Sequence, residues 1–181
     1  TTTLAKAKGQ SATSGNKIAG GATDGNLGAI AYDFNASYVG LNTKAKKSYF
    51  FLDEGIVQMG TAISGTTGPT IDTTIDARIL NEDGSNKITI YDAENQKQYQ
   101  FTDTEEKQKI HLAAGSWIHM EGNREDVSTD MAYYFPMDTD IEMDVQFREG
   151  NVSNINNSYE GAYSCWYLMI GINHGTGTVS D

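Results

Sequence analysis

Residues 44–78 read KAKKSYFFLDEGIVQMGTAISGTTGPTIDTTIDAR: two dense apolar runs, a turn rich in Gly and Thr, and a segment of unbroken alternation. In an extended chain successive side chains point to opposite faces. Ile71, Thr73, Ile75, Ala77 and Ile79 therefore fall on one side and Asp72, Thr74, Asp76 and Arg78 on the other. That is the pattern of a strand with one core face and one charged face. Three ionisable groups of both signs on one strand face exceed what solubility needs, so Asp72, Asp76 and Arg78 are the first candidates for a site. The plainer alternative is a solvated face with a cross-strand ion pair, which contributes little.

Working outward from this stretch, residues 47–52 and 55–60 are predicted to pair as a hairpin across Asp53 and Glu54, with an earlier strand at 27–34. After the strand at 71–80, NEDGSN at 81–86 is a turn of the Asp-Gly type. Residues 88–91 and 98–101 form a second hairpin; 109–112 and 116–121 are strands separated by Ala113, Ala114 and Gly115. An aromatic strand at 132–135 is stopped by Pro136. Residues 141–148 alternate, with Ile141, Met143, Val145 and Phe147 inward, while Asp138, Asp140, Glu142 and Asp144 mark an outer face. The apolar run at 165–172 has the length of a strand buried on both faces. Residues 1–21 are rich in Thr, Ser, Gly, Ala and Lys and read as a loop or arm. No segment offers three turns of amphipathic helix. The expectation is an all-β chain, a large antiparallel two-sheet β-sandwich of about ten to twelve strands, forming a single domain over residues 1–181.

Composition agrees. The 181 residues are 38% hydrophobic, with 19 Gly and 10 Tyr but only 2 Pro, which favours Gly-turned strands over helices. Lys and Arg total 13 against 24 Asp and Glu, a net charge of −11, and this argues against nucleic-acid or anionic-membrane partners. Lys44, Lys46 and Lys47 form the one basic cluster. Cys165, the single cysteine, sits in an apolar run and reads as a small buried hydrophobe. His111, His119 and His174 show no ligand spacing, the acidic run at 138–144 lacks the EF-hand pattern, and no Gly cluster precedes a Lys-Ser or Lys-Thr pair. Neither metal nor cofactor is expected. No run approaches the roughly 20 apolar residues of a membrane span, and the first ten residues are no signal peptide, so a secreted protein would carry its signal upstream.

An ordered set of motifs resembles the central β supersandwich of family 8 polysaccharide lyases, enzymes that cleave hyaluronan, chondroitin or xanthan. It comprises Lys46, Lys47, Ser48, Tyr49, Phe50, Phe51, Asp53, Glu54, Ile56 and Val57, then Asp72, Thr73, Thr74, Ile75, Asp76 and Arg78. Trp117, the segment Ala132-Tyr133-Tyr134-Phe135-Pro136, Gly150 with Asn154-Ile155-Asn156, and His174-Gly175 follow in the family's order. The resemblance implies a larger, secreted bacterial enzyme, extracellular or at the cell surface, in which an N-terminal α/α toroid and a C-terminal β domain flank this one. The chemistry it implies is β-elimination from an acidic polysaccharide: the C5 proton of a uronic acid is removed and the C4 oxygen leaves, with Tyr, His and Asn of the toroid acting. No catalytic residue is then expected in this chain, which would be inactive alone. By position Asp72 and Asp76 take the family's acidic places and Arg78 its basic one, supporting the cleft or contacting substrate. Asp72 stands where the family usually has the longer Glu, and Ala77 where it often has Asn.

An alternative from another class remains at this point, a non-catalytic carbohydrate-binding or adhesive module of the cell surface. Its candidate sugar-stacking side chains are Tyr49, Trp117, Tyr133, Tyr134 and Trp166, set against the plainer reading of strand aromatics as core.

Overall fold

A computed structural model of the chain describes residues 18–36, 42–66, 70–102, 106–122, 124, 129–154 and 159–180. Most of the expected arm, together with Ile155 and Asn156, lies outside the described residues. Within them the chain is all-β and antiparallel, with thirteen strands and one short 3-10 turn at Val152–Asn154. It divides into two compact units, Thr1–Ile71 with His174–Asp181, and Asp72–Asn173.

The first unit is one sheet of five strands in the order β1-β2-β3-β4-β13. These are β1 (Ala19–Thr23), β2 (Gly28–Asn35), β3 (Lys44–Leu52), β4 (Gly55–Gly65) and β13 (Val179–Ser180). The hairpin foreseen across Asp53 and Glu54 is present as β3 and β4, with Leu52 opposite Gly55. The last residues of the expected arm are instead ordered strand, because Ala19 to Thr23 pair with Tyr32 to Gly28. At the far end of the sheet from the turn, Ala45, Ile63, Ile71 and Val179 make a small core with Phe34 against it. Between them the pairing of β3 with β4 slips: Lys46 opposes Thr61 but Lys44 opposes Ser64. The extra residue on β4 is accommodated by Ala62, whose φ of 52° is left-handed.

The second unit is a two-sheet sandwich. One sheet has the order β5-β12-β11-β8 and the other β10-β9-β6-β7. The strands are β5 (Asp72–Ile79), β6 (Ile88–Asp92), β7 (Lys97–Gln100), β8 (Gln108–Leu112), β9 (Ser116–Met120), β10 (Met131–Phe135), β11 (Thr139–Asn151) and β12 (Ala162–Asn173). Alternation aims Ile141, Met143 and Val145 of β11 and Leu168 and Ile170 of β12 at Ile88, Ile90, Ile118, Met120 and Phe135 of the opposing sheet, and these residues form the main core. The NEDGSN turn closes as expected, Gly84 N–H donating to Asn81 C=O at 2.9 Å. Gly84 has φ +72° and lies so near Trp166 that an added Cβ would stand 2.9 Å from its ring, so both conformation and space require glycine there.

Three expectations need correction. The run at 165–172 is not buried on both faces: Leu168 and Ile170 are buried, whereas Tyr167 and Met169 are half-covered. Asp144 is not on a solvated face; it is 2% exposed, because β11 is an interior strand whose outward side chains are flanked on both sides. The third concerns β5. Asp76 opposes Ile170 but Thr74 opposes Gly171, so Ile75 is an extra residue and the alternation resets there. A bulge of this kind bends a strand and re-aims the side chains beyond it. Past Ile75 it is Ala77 and Ile79 that are exposed. Asp76 and Arg78, level with the buried Ile170 and Leu168, turn inward. Asp72, opposite Asn173, stays on the outer face.

Candidate functional site

The bulge brings Asp76 and Arg78 of β5 towards Tyr133 of β10. Both are edge strands of their sheets, so the three side chains meet where the two edges lie over one another. Arg78 Nε donates to Asp76 Oδ2 at 2.7 Å and to Tyr133 Oη at 3.1 Å. The Tyr133 hydroxyl donates to the same Asp76 Oδ2 at 2.6 Å, closing a triangle. The second carboxylate oxygen, Oδ1, accepts the Ala77 amide at 2.7 Å. Side-chain exposures of 24% for Asp76 and 36% for Arg78 place the triangle at the rim rather than in the dry core. Burial, and then the hydrogen bond to Asp76, push the Tyr133 phenol well above the ordinary tyrosine range. Burial alone would lower the Arg78 pKa, but its bonds to Tyr133 and Asp76 outweigh this and raise it. The phenol therefore stays protonated and the guanidinium charged at any physiological pH. The group can bind, orient and close a seam.

Asp72, expected to share this face, is exposed and on the opposite side of β5. Tyr133, expected among sugar-stacking rings, packs half-buried against the core with its hydroxyl engaged. Of the other four expected stacking rings, Trp117 and Tyr134 come together. Tyr134 of β10 opposes Trp117 of β9, and Trp117 opposes Tyr91 of β6, so three aromatic residues stand in one row across three adjacent strands. Ile90, Ile118 and Phe135 point to the core, which puts this row on the outer face. Tyr91 and Trp117 stack with centroids 5.5 Å apart and planes 20° apart, and Tyr134 is 66% exposed. The next row on that face carries His119 between Ala132 and Thr89, its Nε2 3.2 Å from Asp130 Oδ2. Tyr91 was not anticipated. The alternation of Ile88, Thr89, Ile90 and Tyr91 already set it outward, but only the register shows that it lies beside Trp117.

The basic cluster does not form one patch, since Lys44 and Lys46 share a face of β3 and Lys47 points the other way. Among the described residues no three His, Cys, Asp or Glu side chains converge in a way that could hold a metal ion. Nor is any described helix long and apolar enough to cross a membrane.

Comparison with known proteins decides the family. The whole chain, residues 1–181, matches polysaccharide lyase family 8, super-sandwich domain. The chain belongs to this family. It is 34% identical over 155 residues to the xanthan lyase of Bacillus sp. (strain GL1), covering 84% of this chain and 16% of that protein. With the chondroitinase-AC of Pedobacter heparinus it shares 30% identity over 169 residues, covering 88% of this chain and 20% of the relative. Among solved structures, a Paenibacillus xanthan lyase superposes with a TM-score of 0.74 at 25% identity, covering 90% of this chain and 15% of that one. A chondroitinase AC lyase studied with bound oligosaccharides gives 0.69 at 26%, covering 90% and 21%. This family 8 super-sandwich domain thus spans a fifth or less of the curated relatives named here. Its all-β, antiparallel architecture is the one its motif order implied.

Proposed function

We propose that this super-sandwich domain belongs to a secreted, extracellular lyase that degrades a uronic-acid-containing polysaccharide of the hyaluronan, chondroitin or xanthan type by β-elimination. The base that takes the C5 proton and the acid that protonates the departing C4 oxygen lie outside this chain, in an α/α toroid. The domain's part is to form and stiffen one wall of the cleft. The observation that carries this reading is the Asp76–Arg78–Tyr133 triangle. A charged group tied at both ends, part-buried at the joined edges of two sheets, holds those edges in one relative position. Productive geometry in an elimination depends on such positioning, and a displacement of about 1 Å can lower turnover roughly a hundredfold. The outer row of half-buried Tyr91 and Trp117 with exposed Tyr134 supports a second contact with carbohydrate, in which the rings take the apolar faces of sugars.

The test is made in the full-length enzyme. Asp76→Ala and Arg78→Ala are expected to lower turnover by about tenfold to a hundredfold while the protein remains folded. Asp72→Ala, on the opposite face, is expected to leave turnover within about twofold. Unchanged turnover in both Asp76→Ala and Arg78→Ala would confine the triangle to architecture.

A further inference from the structure

Lys44, Lys46 and Lys47, the one basic cluster of the sequence, take no part in the triangle or in the aromatic row. Lys46 instead borders a trough on one face of the first unit's sheet. Register defines this trough. Ala31, Ser48 and Met59 stand in one row across β2, β3 and β4, and Asp33, Lys46 and Thr61 stand in the next row of the same face. Ala31 and Ser48 are short, so their row sinks below its neighbours and leaves a cavity of about 200 Å³. Pockets that enclose a whole ligand run to about 300–1,000 Å³, so this one has room for a single sugar-sized unit. Asp33 and Lys46 oppose one another directly. Even so, no ion pair or hydrogen bond among the described residues engages either side chain, and both charges are left to a ligand.

We infer that this trough binds one uronic-acid residue of an acidic polysaccharide, with Lys46 holding the sugar carboxylate. The inference rests on reading the parent protein as a lyase of such polymers, and it gives the polymer a holding point on residues other than those of the triangle. The chemistry of the lining chooses the occupant. An ammonium takes a carboxylate in a charge-assisted bond. The Asp33 carboxylate and the Ser48 and Thr61 hydroxyls accept from or donate to ring hydroxyls. Met59, 58% exposed at the end of the floor row, offers an apolar side chain to the carbon-bound hydrogens of the ring. A uronic acid carries all three kinds of group on one ring. A neutral sugar would leave Lys46 without a partner, and a small inorganic anion would leave Met59 and the floor unused. The net charge of −11 repels a densely charged polyanion, whereas here one ammonium meets one carboxylate. Lys44, on the same face of β3, adds a second positive charge beside the first.

The test is zero-length coupling in the full-length protein. Short oligosaccharides of hyaluronan, chondroitin and xanthan are each added with a carbodiimide, which joins a carboxylate to an amine in contact with it as an amide, with loss of water. Elimination leaves the carboxylate on the sugar, so substrate and product report alike. With at least one of the three, coupling at Lys46, read by peptide mass, is expected to exceed that at the exposed Lys97 by about fivefold or more, because a bound carboxylate is held against its amine. Ala31→Leu fills the floor and keeps every charge, and it is expected to abolish the excess. Should that variant fail to fold, Ser48→Leu fills the same row. Coupling at Lys46 no greater than at Lys97 with all three sugars overturns the inference. So does coupling that favours Lys44 over Lys46, or an excess at Lys46 that survives the filled floor. Release of unsaturated product from the same sugars is measured separately. A protein that couples at Lys46 but makes no product removes the proposed elimination and leaves the site; one that makes product without coupling there removes the site alone.

Discussion

Asp76 Oδ2 accepts from both Arg78 and Tyr133, so one carboxylate oxygen holds two donors that belong to different sheets. The three side chains do not contribute equally. Removing the Tyr133 hydroxyl as Tyr133→Phe deletes both its bond to Asp76 and the one it accepts from Arg78, but leaves Asp76 and Arg78 paired and the ring against the core, at a cost of about 1 kcal/mol. Asp76→Ala leaves a part-buried guanidinium and a phenol without their common acceptor. Because Arg78 is 36% exposed, water answers part of that loss, and the expected cost is about 1–2 kcal/mol. Urea unfolding of the two variants measures the order. A Tyr133→Phe variant less stable than Asp76→Ala would show that the phenol, and not the carboxylate, organises the triangle.

Two bulges set the faces of the elements that matter. On β5 the extra residue is Ile75, and opposite it β12 carries Gly171, where an added Cβ would lie 3.2 Å from the Thr73 carbonyl oxygen. Glycine within a strand often marks such a close approach of backbones. On β4 the corresponding feature is Ala62, which holds φ 52° without being glycine. A left-handed alanine is disfavoured by about 1 kcal/mol or more through its Cβ. Ala62→Gly is therefore expected to raise stability by about 0.5–1 kcal/mol, the relief of strain exceeding the added freedom of the unfolded chain. Ala62→Val is expected to lower it by more, since a β-branched side chain tolerates this conformation least. Thermal melts of the two variants check both signs, and a destabilised glycine variant would mean that the Ala62 methyl carries packing worth more than the strain.

The whole molecule is two β units without a described helix longer than one 3-10 turn, and the Tyr133 phenol is held in its protonated form. Elimination needs a group able to take a carbon-bound proton, and neither the Tyr133 phenol nor the Arg78 guanidinium, both held protonated, is such a group. The purified chain alone is accordingly expected to release no unsaturated, ultraviolet-absorbing product from hyaluronan, chondroitin or xanthan. Steady product formation proportional to the amount of chain would show that the proton-accepting group lies within it.

The amino-acid sequence by itself determined the all-β class, the β3–β4 hairpin, the NEDGSN turn and the inward set of β11 as far as Val145, because each follows from local periodicity or turn chemistry; Phe147, expected inward with them, is 50% exposed. Its motif order also named the lyase family. It selected Asp72, Asp76 and Arg78 as one set on one outward face, whereas Arg78 pairs with Asp76 on the inner side and Asp72 stays outside. Strict alternation from Ile71 to Ile79 holds only while the strand is regular, and the bulge at Ile75 depends on how β12 pairs with β5. Tyr133, expected as a stacking ring, became the third member of the triangle, and Tyr91 entered the outer aromatic row unforeseen. Both outcomes are matters of cross-strand register, settled between residues 55 or more positions apart in the first case and 26 apart in the second. Pairing of that range is decided by the packing of sheets against a shared core, which no local pattern encodes.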